Sequence, residues 1–241
     1  MARTKIEWAD RVWNPVSGCE PVSEGCEHCY AMRWAERLRA MGVSGYERGF
    51  EIAYHPERLE EPLRIKKPQV IFVGSMGDLF HARVRREWVQ DIFAVMRNAS
   101  WHRFIILTKR PARARWEFAE EIATIPNLWV GITAENEALF WLRMIHLANI
   151  PTRRFVSFEP LLRAIDPNAI RYFKEMIEGV IVGGETGAGA RNMKEKWVDD
   201  IRGVCEELGI RFFFKQWGGR RGRDRIYQGK EWNDLPWNME N

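Results

Sequence analysis

The chain has 241 residues, 46% hydrophobic and 29% charged, which excludes a disordered chain and suits one α/β barrel whose core needs no disulfides. Thirty-seven Lys and Arg face 33 Asp and Glu, a net charge of +4, too small to identify a nucleic-acid binder by itself. The twelve Trp offer core bulk and candidate surfaces for a flat ligand. Met1–Asp10 is polar, without the apolar stretch of a signal peptide, and no apolar run is long enough to span a bilayer. This predicts a cytoplasmic protein without a membrane partner. In that reducing compartment the four Cys read as thiols or metal ligands.

In chain order, the first feature is a Gly- and Pro-bearing loop over 14–30 that carries Cys19, Cys26 and Cys29. Ala31, Trp34, Ala35, Leu38 and Met41 then keep helical spacing. Residues 42–68 lack periodicity and carry Gly45, Gly49, Pro56 and Pro62, the mark of a long connection. Six short apolar runs follow, at 70–73, 104–107, 128–132, 154–158, 180–182 and 211–214. Each reads as a strand buried on both faces.

Helical spacing returns in Trp88, Ile92, Val95, Met96 and Ala99, and again in Trp197, Ile201, Val204, Cys205 and Leu208. Glu137–Leu147 is apolar on most faces and predicts a deeply packed helix. Cys205 sits on an apolar stripe, as a packed thiol would. Alternating strands and helices predict an α/β protein with a parallel sheet, a partial or open TIM-like βα barrel of six to seven strands. This barrel occupies 1–217. Residues 218–241 read as a basic irregular tail with Arg220, Arg221, Arg223 and Arg225. No repeat or low-complexity linker interrupts the chain.

In such a barrel, ligands gather at the carboxyl ends of the strands. Six strands end in polar groups: Ser75-Met-Gly-Asp78, Thr108-Lys-Arg110, Thr133-Ala-Glu-Asn136, Ser157-Phe-Glu159, Gly183-Gly-Glu185 and Lys215-Gln-Trp217. A solvated turn explains any one of them; the repetition predicts a shared site. Glu159 precedes Pro160, which biases it to extended backbone aimed at the barrel mouth. Lys215, Gln216 and Trp217, on the last strand, are candidate substrate contacts. Lys109, Arg110, Arg113 and Arg115 form one basic cluster and the tail arginines another; with Trp217 and Trp232 they form a candidate nucleic-acid or nucleotide surface.

Cys19, Cys26 and Cys29 follow a C-x6-C-x2-C spacing. Thiolates at this density suit Zn²⁺ or an iron–sulfur cluster. A structural zinc site wants four protein ligands, and His28 or a distant group would have to supply the fourth. Three cysteines suffice for a [4Fe–4S] cluster with one iron left open to a small ligand. The zinc alternative makes the chain a zinc-stabilised nucleic-acid-binding protein without catalysis.

Lys5–Asp10, Asn14-Pro-Val-Ser-Gly-Cys19, Val22-Ser-Glu-Gly-Cys26 and Cys29-Tyr-Ala31 resemble the three-Cys-motif proteins of the phage Gp37/Gp68 family, which are similar to radical S-adenosylmethionine (SAM) enzymes. Gly77-Asp-Leu-Phe80, Leu107-Thr-Lys-Arg110, Ser157-Phe-Glu-Pro160 and Gly183-Gly-Glu185 extend the resemblance over most of the chain. The first Cys gap is six where the wider superfamily has three. The resemblance implies a [4Fe–4S] cluster on Cys19, Cys26 and Cys29, with SAM on the open iron. SAM is then cleaved to a 5′-deoxyadenosyl radical that abstracts hydrogen from a substrate.

It also implies roles for the strand ends. Asp78, with Ser75 and Gly77, would meet the SAM ammonium. Lys109 or Arg110 would meet its carboxylate, Arg110 serving otherwise as a substrate contact. Glu135, Asn136 or Ser157 would meet the ribose, and Gly183, Gly184 and Glu185 the adenine, with Glu159 facing the site. The implied partners are a one-electron reductant of flavodoxin or ferredoxin type and a nucleic acid or nucleotide, with room for a partner protein. The implied substrate is a modified nucleobase in phage DNA, such as a hypermodified thymine undergoing isomerisation, in the host cytoplasm.

Overall fold

The computed structural model describes residues 1–4 and 6–237. Lys5, in the first motif quoted above, and 238–241 of the tail lie outside the described residues. The strands are β1 (Ala2–Arg3), β2 (Arg11–Trp13), β3 (Val16–Ser17), β4 (Ala53–Tyr54), β5 (Val70–Val73), β6 (Arg103–Thr108), β7 (Leu128–Thr133), β8 (Arg153–Phe158), β9 (Gly179–Gly183) and β10 (Arg211–Gln216). The helices are α1 (Tyr30–Ala40), α2 (Arg86–Asn98), α3 (Pro111–Ala123), α4 (Glu137–Leu147), α5 (Pro167–Tyr172) and α6 (Glu195–Leu208). Strand order in the main sheet is β1-β2-β5-β6-β7-β8-β9-β10, and β3 pairs with β4 apart from it. Apart from β1, which pairs antiparallel with β2, the main strands run parallel. All six expected strands form, and β2 adds a seventh parallel one. The fold is α/β, as the alternation predicts.

Two compact units divide the chain. The first comprises Met1–Val22, Cys29–Val130 and Ile150–Thr152. In it, β5 and β6 pair with Val70 opposite Arg103 and Val73 opposite Ile106. The fully buried Val89, Ile92, Phe93 and Met96 of α2 and Ala114, Phe118 and Ile122 of α3 supply its apolar helix faces. Phe93 meets Phe118 edge-on at 6.0 Å, a favourable aromatic geometry. The connection over 42–68 is held by indole N–H groups: Trp13 donates to the Arg58 carbonyl at 2.9 Å and Trp101 to the Ile65 carbonyl at 2.8 Å.

The second unit comprises Ser23–His28, Gly131–Asn149 and the chain from Arg153 onward. Parallel pairing sets Phe155 opposite Gly179 and Ser157 opposite Ile181 on β8 and β9. Phe155 fills the space beside Gly131, where a Cβ would collide with its ring. Helix α4 departs from expectation. It buries Phe140, Met144 and Leu147 but leaves Leu142 56% and Ile145 47% exposed, and it buries a charge, Arg143.

The tail is also more than a basic loop. Trp232 accepts from the Phe214 N–H through its carbonyl, extending past the edge of β10. Tyr227 and Trp237 are fully buried, Trp237 meeting Phe155 edge-on at 4.7 Å. Two of its four arginines form ion pairs within the tail: Arg221 with Asp224 at 2.9 Å and Arg225 with Glu231 at 3.3 Å. Among the described residues no helix is long and apolar enough to cross a membrane.

Candidate functional site

The carboxyl ends of β5 and β6, in the first unit, form a knot around Asp78. Its Oδ1 accepts from the Thr108 hydroxyl at 2.8 Å and the Phe80 N–H at 3.0 Å. Its Oδ2 accepts from the Lys109 N–H at 3.1 Å and lies 3.4 Å from Arg110 Nη1. Four donors leave this carboxylate occupied by its own strand ends. Arg110 also donates to Cys19 Sγ at 3.3 Å and to the Glu20 carbonyl at 2.9 Å. A residue read for SAM or substrate thus stands beside the first cysteine, bringing positive charge to a thiol.

Ser75 exchanges hydrogen bonds with Asn14, at 3.0 and 3.2 Å, and its carbonyl accepts from the Tyr30 hydroxyl. Gly77 is set by backbone approach: it bridges to Gly18, and a Cβ there would sit 2.7 Å from the Gly18 carbonyl oxygen. Sequence reasoning missed Asn14 and His81. His81 lies 3.2 Å from a Glu20 carboxylate oxygen. Burial, and then Arg110, hold the His81 pKa below its ordinary value against the pull of Glu20.

In the second unit, Ser23–His28, the segment bearing Cys26, rests on the ends of β7 and β9. Ser23 donates to Glu135 Oε1 at 2.6 Å, while Arg143 donates to Glu135 Oε2 at 2.8 Å. Glu135 is 0% and Arg143 4% exposed. Asn136 Nδ2 and Arg163 donate to the Glu24 carboxylate at 2.8 and 3.1 Å. Arg191 donates to the Glu24 carbonyl at 2.9 Å and pairs with Glu27 at 3.1 Å. It also grips both oxygens of Glu185, at 2.7 and 3.0 Å. Burial would raise the Glu185 pKa, but the Arg191 donors outweigh it and hold that carboxyl below its ordinary value. Glu135, Asn136 and Glu185, read as SAM contacts, therefore serve the cysteine segment.

The remaining candidates lie at the ends of β8, β9 and β10. Lys215 and Gln216 donate to Glu159 Oε1 at 2.6 and 3.0 Å, and Gln216 also donates to the Gly184 carbonyl at 3.0 Å. A Cβ on Gly183 would crowd Glu159 and Gln216, and one on Gly184 would collide with the Trp217 carbonyl. These glycines allow strand ends to meet. Trp217 is buried, donates its indole N–H to the Ile226 carbonyl at 2.8 Å, and carries the Arg221 guanidinium 4.0 Å above its ring. Its ring is engaged by the protein itself. Ser157 differs: its hydroxyl is buried and has no hydrogen-bond partner, an arrangement that costs free energy unless a ligand or water supplies one.

All four cysteines are free thiols. Burial pushes Cys205 up to about 12, so it is inert; Cys19, Cys26 and Cys29 are half-buried. Among the described residues no group of three or more His, Cys, Asp or Glu side chains is gathered as a metal site. Donor chemistry still fits a thiophilic centre, since three unoxidised thiols fall within eleven residues. The unpartnered Ser157 hydroxyl fits a polar ligand at the strand ends.

Residues 3–239 match the family described as "Protein of unknown function (DUF5131)". The chain belongs to this family. No curated protein matches it. Among solved structures it is similar to spore photoproduct lyase complexed with dinucleoside spore photoproduct, at 9% identity and a TM-score of 0.54, over 88% of this chain and 78% of that one. A tyrosine-to-phenylalanine variant of the same lyase gives 9% identity and 0.57, over 90% and 78%. A cysteine-to-serine variant gives 10% and 0.57, over 88% and 78%. At such identity the likeness carries the fold alone, a partial TIM-type α/β barrel.

Proposed function

We propose that this DUF5131 chain is a radical SAM enzyme. Cys19, Cys26 and Cys29 would hold a [4Fe–4S] cluster, with SAM on the fourth iron. The observation that carries this reading is the C-x6-C-x2-C loop just before α1 in a chain with this fold. When bound, cluster and SAM supply hydrogen-atom abstraction from an unreactive C–H bond.

The residues of the chain divide the remaining work. Arg110 sets a cation beside Cys19, where it favours the negative charge of a thiolate-bound centre. Asp78 and Thr108 hold Arg110 and its strand end in place. Ser157 offers an unpartnered hydroxyl to SAM or substrate. Glu159 after β8 and Lys215 and Gln216 on β10, with β9 between them, present one acceptor and two donors, a set able to orient a polar substrate. Lys109 contributes its backbone N–H at the end of β6, and Gly183 and Gly184 contribute through backbone at the end of β9.

For the substrate we propose a modified nucleobase in DNA, in keeping with the phage Gp37/Gp68 resemblance, with isomerisation as the net reaction. The dinucleoside held by the structural neighbour supports a nucleic-acid substrate class. A flavodoxin- or ferredoxin-type protein would supply the electron, and the cytoplasm would be the site of action.

The test is a Cys26→Ala substitution. After anaerobic reconstitution with iron and sulfide, wild type binds about four irons per chain and releases 5′-deoxyadenosine from SAM with dithionite. The variant does neither. A variant that still makes 5′-deoxyadenosine overturns the assignment. One tight zinc in wild type, with no product, makes the loop structural.

A further inference from the structure

Acids and amides that end strands β7 and β9 are engaged by Ser23–His28: Glu135 and Asn136 bind it directly, and Glu185 acts on it through Arg191. The contacts are dense for a segment of six residues. Ser23 is bound by a fully buried carboxylate, Glu135, whose second oxygen is neutralised by buried Arg143. Arg143 is itself fixed by donating to the Thr133 carbonyl at 2.6 Å. Gly25 lies flat against the same carboxylate: a Cβ on it would collide with Glu135 Cγ and Oε1. Glu24 is held at its carboxylate by Asn136 and Arg163 and at its carbonyl by Arg191. Asn136 is in turn locked, because its Oδ1 accepts from the Leu139 N–H as the cap of α4.

We infer that Glu135 and Arg191 are positioning residues that latch the Cys26 segment onto the strand ends of its own unit. The inference rests on the reading of Cys26 as a cluster ligand. Physical logic favours a latch over general packing. A buried carboxylate is costly unless every lone pair is answered. Here a loop hydroxyl and a guanidinium answer it. The loop docks by completing a buried polar network, and such networks tolerate one geometry. Arg191 does the same from the other side, its planar fork joining Glu185 to the Glu24 carbonyl. One cysteine ligand is thereby set before any metal arrives, which lowers the ordering cost of binding it.

The test uses Ser23→Ala and Arg191→Ala, which spare the buried pair and the core. Arg171→Ala, which breaks an exposed pair with Glu207 on α5 and α6, is the control. Ser23→Thr, which retains the hydroxyl, is the conservative rescue. The readout is the alkylation rate of each cysteine in the metal-free protein by mass spectrometry, with Cys205 reporting global opening. Loss of a hydrogen bond to a charged group is expected to speed Cys26 alkylation about tenfold, with Cys205 unchanged and Ser23→Thr and Arg171→Ala at the wild-type rate. Unchanged Cys26 rates in both latch variants overturn the inference, as does a rise matched at Cys205. Iron uptake separates the two claims. If wild type takes up no iron while the latch variants still free Cys26, the latch stands and the cluster reading falls. If wild type takes up iron and Cys26 does not respond, the reverse holds.

Discussion

Trp237→Ala tests whether the tail is part of the core. The ring is fully buried and meets Phe155 edge-on at 4.7 Å, while the preceding Pro236 fills the space where Gly179 lacks a side chain. Replacing a buried Trp by Ala removes its transfer free energy and leaves a cavity, about 3–5 kcal/mol together. At about 2–4 °C per kcal/mol for a chain of this size, the melting midpoint falls by roughly 6–20 °C. Thermal unfolding followed by circular dichroism measures this. Trp116→Ala, at a ring 70% exposed, is the control and stays within about 0.5 kcal/mol of wild type. If Trp237→Ala melts within 2 °C of wild type (roughly 1 kcal/mol or less), the tail is not core and the reasoning fails.

Two further predictions concern charge. Arg143→Ala leaves the buried Glu135 carboxylate without its cation and should cost about 3–5 kcal/mol in urea unfolding; a loss below about 1 kcal/mol contradicts the account of the pair. His55 and His102 are held below the ordinary histidine value of 6.5, both chiefly by burial, with Arg58 adding to the effect at His55 and Arg11 at His102. Below pH 6.5 the unfolded chain binds protons that the folded chain refuses, so stability is full above that pH and declines as pH falls toward the folded-state values. Urea midpoints between pH 7.5 and 5.5 should fall accordingly, and His102→Asn should flatten the slope. A midpoint that rises on acidification would refute the sign.

The strands were legible because a strand buried on both faces leaves an uninterrupted apolar run, as at Val70–Val73. β2 was not, because three residues, Arg11–Trp13, carry too little pattern and owe their place to pairing with β5. α3 carries a weaker signal, because Glu117, Glu120 and Glu121 interrupt its apolar positions in sequence. Its signal was present in Ala114, Phe118 and Ile122, spaced four apart and buried. α4 misled in the other direction: apolar on most faces, it still leaves Leu142 and Ile145 in solvent.

At the site, polarity of the strand ends was readable, but the choice of partner was not. Whether Glu135 meets a ribose or Ser23 depends on a contact 112 residues away in sequence. No local pattern encodes that. Gly25 was the available clue, since a glycine between Glu24 and Cys26 marks a place where another side chain presses on backbone. Trp217 was a fair candidate for stacking by composition, and only the fold reveals that its ring is already covered by Arg221.

The most direct test of the central claim is anaerobic reconstitution of the wild-type chain with iron and sulfide, followed by SAM and dithionite, with 5′-deoxyadenosine read by mass spectrometry. The account predicts about four irons per chain and product that disappears when SAM is omitted. One tight zinc, no stable cluster and no 5′-deoxyadenosine would contradict it.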